Sequence, residues 1–158
     1  MMAAPHARRG FTLVEILIVV VILGILASVV IPQFAGASDE AKQGSMLSSL
    51  RTLRGQIELY MLQHGDTPPA LSGSDWASLI DLSAHEGKQV GPYVSTVPTN
   101  PLNGYSDVLE VALDPLGGTA VAAPGIGFVY NSGNGKIWAT NRAADKVFNE
   151  VDPSDPAN

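Results

Sequence analysis

Residues 11–31 read FTLVEILIVVVILGILASVVI, and every position but Glu15 lacks charge. A helix needs about 20 predominantly apolar residues to span the hydrocarbon of a bilayer. A run of this length therefore predicts a membrane-spanning helix and leaves the rest of the chain to fold outside the lipid. Arg8 and Arg9 stand just before the run. Basic residues stay on the cytoplasmic side, so the C-terminal bulk is sent across the membrane.

Glu15 is the most informative residue. A carboxylate in hydrocarbon costs about 2.5–3.5 kcal/mol on insertion scales, so its presence needs a physical reason. In the bland reading, Glu15 lies near the cytoplasmic end and snorkels to the headgroups. In the sharper reading it pairs with a positive charge from another chain. A cut before Phe11 would create an α-amine one helical turn from Glu15. In a staggered array of copies, one Glu15 would face a neighbour's Phe11 amine, and that pair would set the axial register.

Two other uses of the block compete. Ala35-Gly36-Ala37 fits the small-residue cleavage pattern of a secretory signal peptide, with Arg8 and Arg9 as its basic region. Arg8-Arg9-Gly10-Phe11 loosely fits a twin-arginine export signal. The apolar run exceeds the usual apolar core of about 7–15 residues in a signal peptide, and Glu15 interrupts its start, so both are disfavoured.

Arg8-Arg9-Gly10-Phe11-Thr12-Leu13-Val14-Glu15, followed by an unbroken apolar run, closely resembles the class III signal of type IV pilins and type II secretion pseudopilins. The resemblance implies cleavage by a prepilin peptidase between Gly10 and Phe11, N-methylation of Phe11, and a role for Glu15 in filament assembly. Pro32 falls where such proteins carry a helix-bending proline. A second, partial likeness lies at Val97-Pro98-Thr99-Asn100-Pro101-Leu102-Asn103-Gly104-Tyr105. It is similar to the Pro-x-Asp-Pro-Trp-x-x-x-Tyr region of major pseudopilins, with Asn100 for Asp, Leu102 for Trp, and Tyr105 one place early. Physically, Pro98, Pro101 and Gly104 predict a turn-rich structural loop.

The helical signal continues over residues 33–64. Leu47, Leu50, Leu53, Ile57, Tyr60 and Met61 recur at steps of about 3 and 4, which predicts one stripe packed on a globular part. His64, Gly65 and Pro68-Pro69 form a stop signal. A helix over 11–64 would be roughly 80 Å long at 1.5 Å per residue. Pro32, Gly36 and Gly44 weaken it locally, predicting a kinked but continuous helix in the monomer and a segment at 32–36 that loosens on polymerisation. Further on, residues 75–82 predict a short helix capped by Ser74 or Asp75. Residues 93–97 and 108–113 predict short strands. Residues 127–130 and 136–140, around the glycine-containing turn 131–135, predict a hairpin.

No catalytic constellation emerges. His6, His64 and His85 are scattered, with no zinc-site spacing, and the chain has no cysteine. The formal net charge of −6 and the absence of a basic stripe argue against nucleic-acid binding. The resemblance raises calcium, which major pseudopilins bind in their C-terminal loops. Asp145, Glu150, Asp152 and Asp155 do not reproduce that ligand pattern, and a solvated acidic tail is the preferred reading.

The expected fold is α+β: a long N-terminal helix, its first half transmembrane, packed by its second half on a small antiparallel sheet. The expected parts are a leader at 1–10, a transmembrane and filament-core helix at 11–31, an amphipathic continuation at 32–64 and a globular domain at 65–158. The expected role is a structural, non-enzymatic subunit of a type II secretion pseudopilus. It would lie single-pass in the inner membrane with its C-terminal domain periplasmic, and then enter a filament. Its implied partners are copies of itself, minor pilin-like subunits, prepilin peptidase, an inner-membrane assembly platform and, before assembly, lipid. The alternatives are a type IV pilus subunit for adhesion, motility or DNA uptake, and a membrane-anchored periplasmic binding module that does not polymerise.

Overall fold

The computed structural model describes residues 10–153. The chain forms two compact units, Met1–Glu40 and Ala41–Asn158. One helix, α1 (Leu13–Gln63), contributes to both.

In the first unit, α1 starts directly after Thr12. The Glu15 N–H donates to Thr12 Oγ1 at 3.2 Å, so Thr12 caps the helix and satisfies one of its orphan donors. The segment Leu13–Ile31 is 19 residues long, apolar enough to cross a membrane, and none of it is buried within the chain. The helical backbone runs on through Pro32 without interruption. The bend and loosening expected at Pro32 concern residues 32–36, whose side chains lie outside the described set.

The second unit has a core of its own. Met46, Leu50, Leu53 and Ile57 are buried at helical steps along α1, while Leu47, Tyr60 and Met61 border them. Each such burial contributes about 1.5–3 kcal/mol relative to exposure. The helix ends where Gly65 and Asp66 take positive φ and the Asp66 N–H closes back on Met61 O at 2.8 Å. Two residues past Thr67, the carbonyl of Pro69 accepts a hydrogen bond from the buried Tyr130 hydroxyl at 2.8 Å.

The next helix is shorter than its sequence suggests. It is α2 (Ala77–Ile80), entered through Asp75, whose Oδ1 accepts the Ala77 N–H at 2.9 Å. It stops because the Leu79 carbonyl is diverted: the N–H groups of Tyr93 and Val94 both donate to it, at 2.8 and 3.0 Å. The same bonds explain why residues 93–97 are not the expected strand. Their leading donors close onto a helix carbonyl instead of a ladder. Between the two lies a hairpin that the sequence did not announce, β1 (Ser83–His85) with β2 (Lys88–Val90), turned by Glu86 and Gly87 at φ 49° and 76°.

The main sheet has three strands, β3 (Asp107–Val111), β4 (Ile126–Asn131) and β5 (Lys136–Ala139), in the order β3-β4-β5. The expected hairpin is present: β4 and β5 are antiparallel, with Val129 opposite Trp138 and Tyr130 opposite Ile137. The expectation of an all-antiparallel sheet needs correction, because β3 runs parallel to β4, with Leu109 opposite Val129. A parallel pair needs a connection of about a dozen residues or more, and residues 112–125 supply it. Every residue of the central β4 is buried. Gly127 lets this strand pass close under the Tyr105 carbonyl, where a Cβ would overlap backbone atoms. The fold is α+β, with the core between the sheet and the C-terminal part of α1.

Candidate assembly site and the C-terminal closure

The helix start carries the residues singled out for processing and assembly. Gly10 is exposed coil. Phe11 is 76% exposed, although it is a large apolar side chain. Glu15 lies in the first turn of α1, where a carboxylate complements the helix dipole. Its Oε2 also reaches back to the N–H and hydroxyl of Thr12, both at a long 3.5 Å. Thr12 and Glu15 thus form a loose capping box. Thr12 stood in the sequence motif without its capping role; the Thr-x-x-Glu spacing was the available signal of that role. The contact is long enough for a cation from another chain to compete for the carboxylate. Arg8 and Arg9 fall outside the described residues.

The proline-rich loop is a structural staple. Asn100 is fully buried. Its Nδ2 donates to the carbonyls of Gly127 and Thr140, both at 2.9 Å, while its Oδ1 accepts the Leu102 N–H at 2.9 Å. Asn103 adds bonds to Thr140 Oγ1 and the Asn141 carbonyl at 2.8 and 2.9 Å. The loop therefore ties itself to the end of β5 through side-chain amides. The histidines are less scattered than their spacing suggests. The rings of His64 and His85 lie 5.1 Å apart, with Tyr60 stacked on His64 at 3.8 Å.

The acids near the C-terminus bear on calcium, which takes about 6–8 oxygen ligands. Glu150 is held by Arg54: Oε1 accepts from Nη2 at 2.6 Å and Oε2 from Nη1 at 2.8 Å. Asp145 Oδ1 accepts the Asn141 amide at 2.9 Å. At the β4–β5 turn, Asp114 accepts from Lys136 Nζ at 2.6 Å and from Asn131 and Asn134 at 2.7 Å. The Lys136 bond, then those of the two amides, holds the Asp114 carboxyl below its ordinary range. Asp155 lies outside the described residues. Among the described residues, no three acids, histidines or cysteines converge. The donors aimed at Glu150, Asp145 and Asp114 compete for oxygens a cation would need, and these three acids do not converge on one centre, so they do not fit a calcium ion.

Comparison with known proteins places the N-terminal block in a class: residues 5–31 match the family model described as the prokaryotic N-terminal methylation motif. Beyond that segment, the chain is 31% identical over 125 residues to the type II secretion system core protein G of Aeromonas hydrophila, covering 71% of this chain and 87% of that one. It is 34% identical over 98 residues to the core protein G of Klebsiella pneumoniae, covering 60% and 69%, and 39% identical over 102 residues to that of Klebsiella michiganensis, covering 63% and 71%. No solved structure matches. The chain belongs to the family of type II secretion system core protein G.

Proposed function

We propose that this chain is a structural subunit of the type II secretion pseudopilus, cut between Gly10 and Phe11 by prepilin peptidase and methylated on Phe11. The observation that carries the reading is the helix start: an apolar segment, Leu13–Ile31, unburied among the described residues and headed by a loosely held Glu15. Apolar surface of this extent needs a partner. Lipid supplies it in the inner membrane, and the same residues of neighbouring copies supply it in a filament. Contacts between unlike faces of identical copies do not close on themselves and generate helical fibres. The C-terminal unit then lies on the periplasmic side, and minor pilin-like subunits and the assembly platform are the remaining partners. Family membership favours this use over a type IV pilus and over a non-polymerising binding module.

Mass spectrometry of the N-terminal peptide, from protein isolated from its own cells, tests the processing. A terminus at methylated Phe11 is expected. A terminus at Ser38 would mean ordinary signal-peptide removal, with no helix left to build a filament core. Cross-links between copies through residues 11–31 test the polymer directly.

A further inference from the structure

We propose that Arg54 does in this chain the work that family resemblance assigns to calcium: its guanidinium closes the C-terminal loop, and the fold needs no divalent ion. Three observations on one side chain carry the inference. Arg54 projects from α1 and grips both oxygens of Glu150, at 2.6 and 2.8 Å, in the bidentate geometry that makes arginine–carboxylate pairs strong. Its Nε and Nη2 also donate to the Ile137 carbonyl, at 3.1 and 2.8 Å. That carbonyl belongs to β5, an outer strand of the sheet, so Arg54 caps an acceptor that has no strand beside it. One cation therefore joins three separate pieces of chain: the helix, the edge of the sheet and the last loop.

A bound calcium ion performs the same kind of joining, by drawing carboxylates and carbonyl oxygens from different loops onto one positive centre. Here the positive centre is covalent. It takes one carboxylate and one backbone carbonyl, and its planar fork matches the carboxylate in a way a lysine ammonium would not. The neighbouring acids are turned to donors as well, Asp145 to Asn141 and Asp114 to Lys136, Asn131 and Asn134. The side chains of Arg54 and Glu150 are 34% and 25% exposed, so the joint is reachable by salt but not fully solvated.

The test uses the full chain in detergent micelles, with unfolding of the C-terminal unit followed by the fluorescence of Trp76 and Trp138. Tm is measured with excess calcium chloride and with excess EGTA. A ligand that binds only the folded state raises Tm with its concentration, so the expected result is the same Tm in both buffers. Arg54→Ala is expected to lower Tm by about 5 °C or more, the shift that roughly 1 kcal/mol produces in a domain of this size. Glu150→Gln retains the bonds to Ile137 and is expected to fold, with a smaller loss and with less dependence of Tm on salt than the parent chain. A clear rise of Tm with calcium in the parent chain would overturn the proposal. So would Arg54→Ala and Glu150→Gln both melting like the parent.

Discussion

Asn100 shows how one atom decides what a position tolerates. The similar loop of major pseudopilins carries Asp there, yet in this chain the side chain must donate, because the carbonyls of Gly127 and Thr140 both face it. Asn100→Ala should leave the buried Thr140 carbonyl and the Leu102 N–H without partners, while the Gly127 carbonyl keeps the Thr140 N–H at 3.0 Å, and should cost about 2–4 kcal/mol, at about 1–3 kcal/mol for each unsatisfied group. Asn100→Asp should cost at least as much, since it points a carboxylate at two acceptors. Urea unfolding of the detergent-solubilised chain reads both, and an Asp variant as stable as the parent would show that the loop re-pairs around a carboxylate. The sequence displayed the prolines and the asparagine but not the partners. Those come from residues 27 and 40 positions away, which no local pattern connects to Asn100.

At the level of elements, legibility followed locality. The long helix was readable because a continuous apolar run and a stripe at steps of 3 and 4 are properties of adjacent residues. The β4–β5 hairpin was readable because its turn carries glycine between two strand-like runs. Failures came where a distant partner decided the outcome. Residues 93–97 have strand-forming side chains, but their N–H groups close on the Leu79 carbonyl. The direction of β3 is set by a crossover through residues 112–125, and strand propensity carries no information about direction. The β1–β2 hairpin is too short and too polar to register as alternation. Gly127 belongs to the same group: its φ is unremarkable, and its role is visible only beside Tyr105. Gly127→Ala should push β4 away from the 105–106 backbone and destabilise the unit by about 3 kcal/mol, at the upper end for overpacking a core. Thermal unfolding checks this, and an unchanged Tm would mean the backbone yields more easily than close packing allows.

At the level of the whole molecule, the two units answer to different demands. The C-terminal unit covers its own core, with Trp76, Phe128 and Tyr130 fully or almost fully buried. The N-terminal segment Leu13–Ile31 is unburied among the described residues. A substitution in one should therefore leave the other intact. Glu15→Ala removes the loose contact with Thr12, worth a few tenths of a kcal/mol at most in an exposed capping box, and should leave the melting of the C-terminal unit unchanged. It should nevertheless sharply reduce the yield of filaments counted by electron microscopy. Normal filament numbers would rule out a charge pair through Glu15. The N-terminal motif was legible because it is a local string, matched over residues 5–31, whereas the Arg54 joint spans 96 positions of sequence and needed the fold to become visible.

The bare helix also fixes what kind of equilibrium such a chain can take part in. Its two solvents are lipid and its own kind, and water is neither. Passing from one to the other is a partition between two oils, and lipid tails are as apolar as the leucines and valines that replace them. The hydrophobic effect, which drives ordinary folding, is therefore nearly silent about which way such a subunit goes. Direction is left to weak, specific terms, such as the charge pair proposed for Glu15, and to work supplied from outside. A polymer so balanced would exchange with the membrane without ever dissolving.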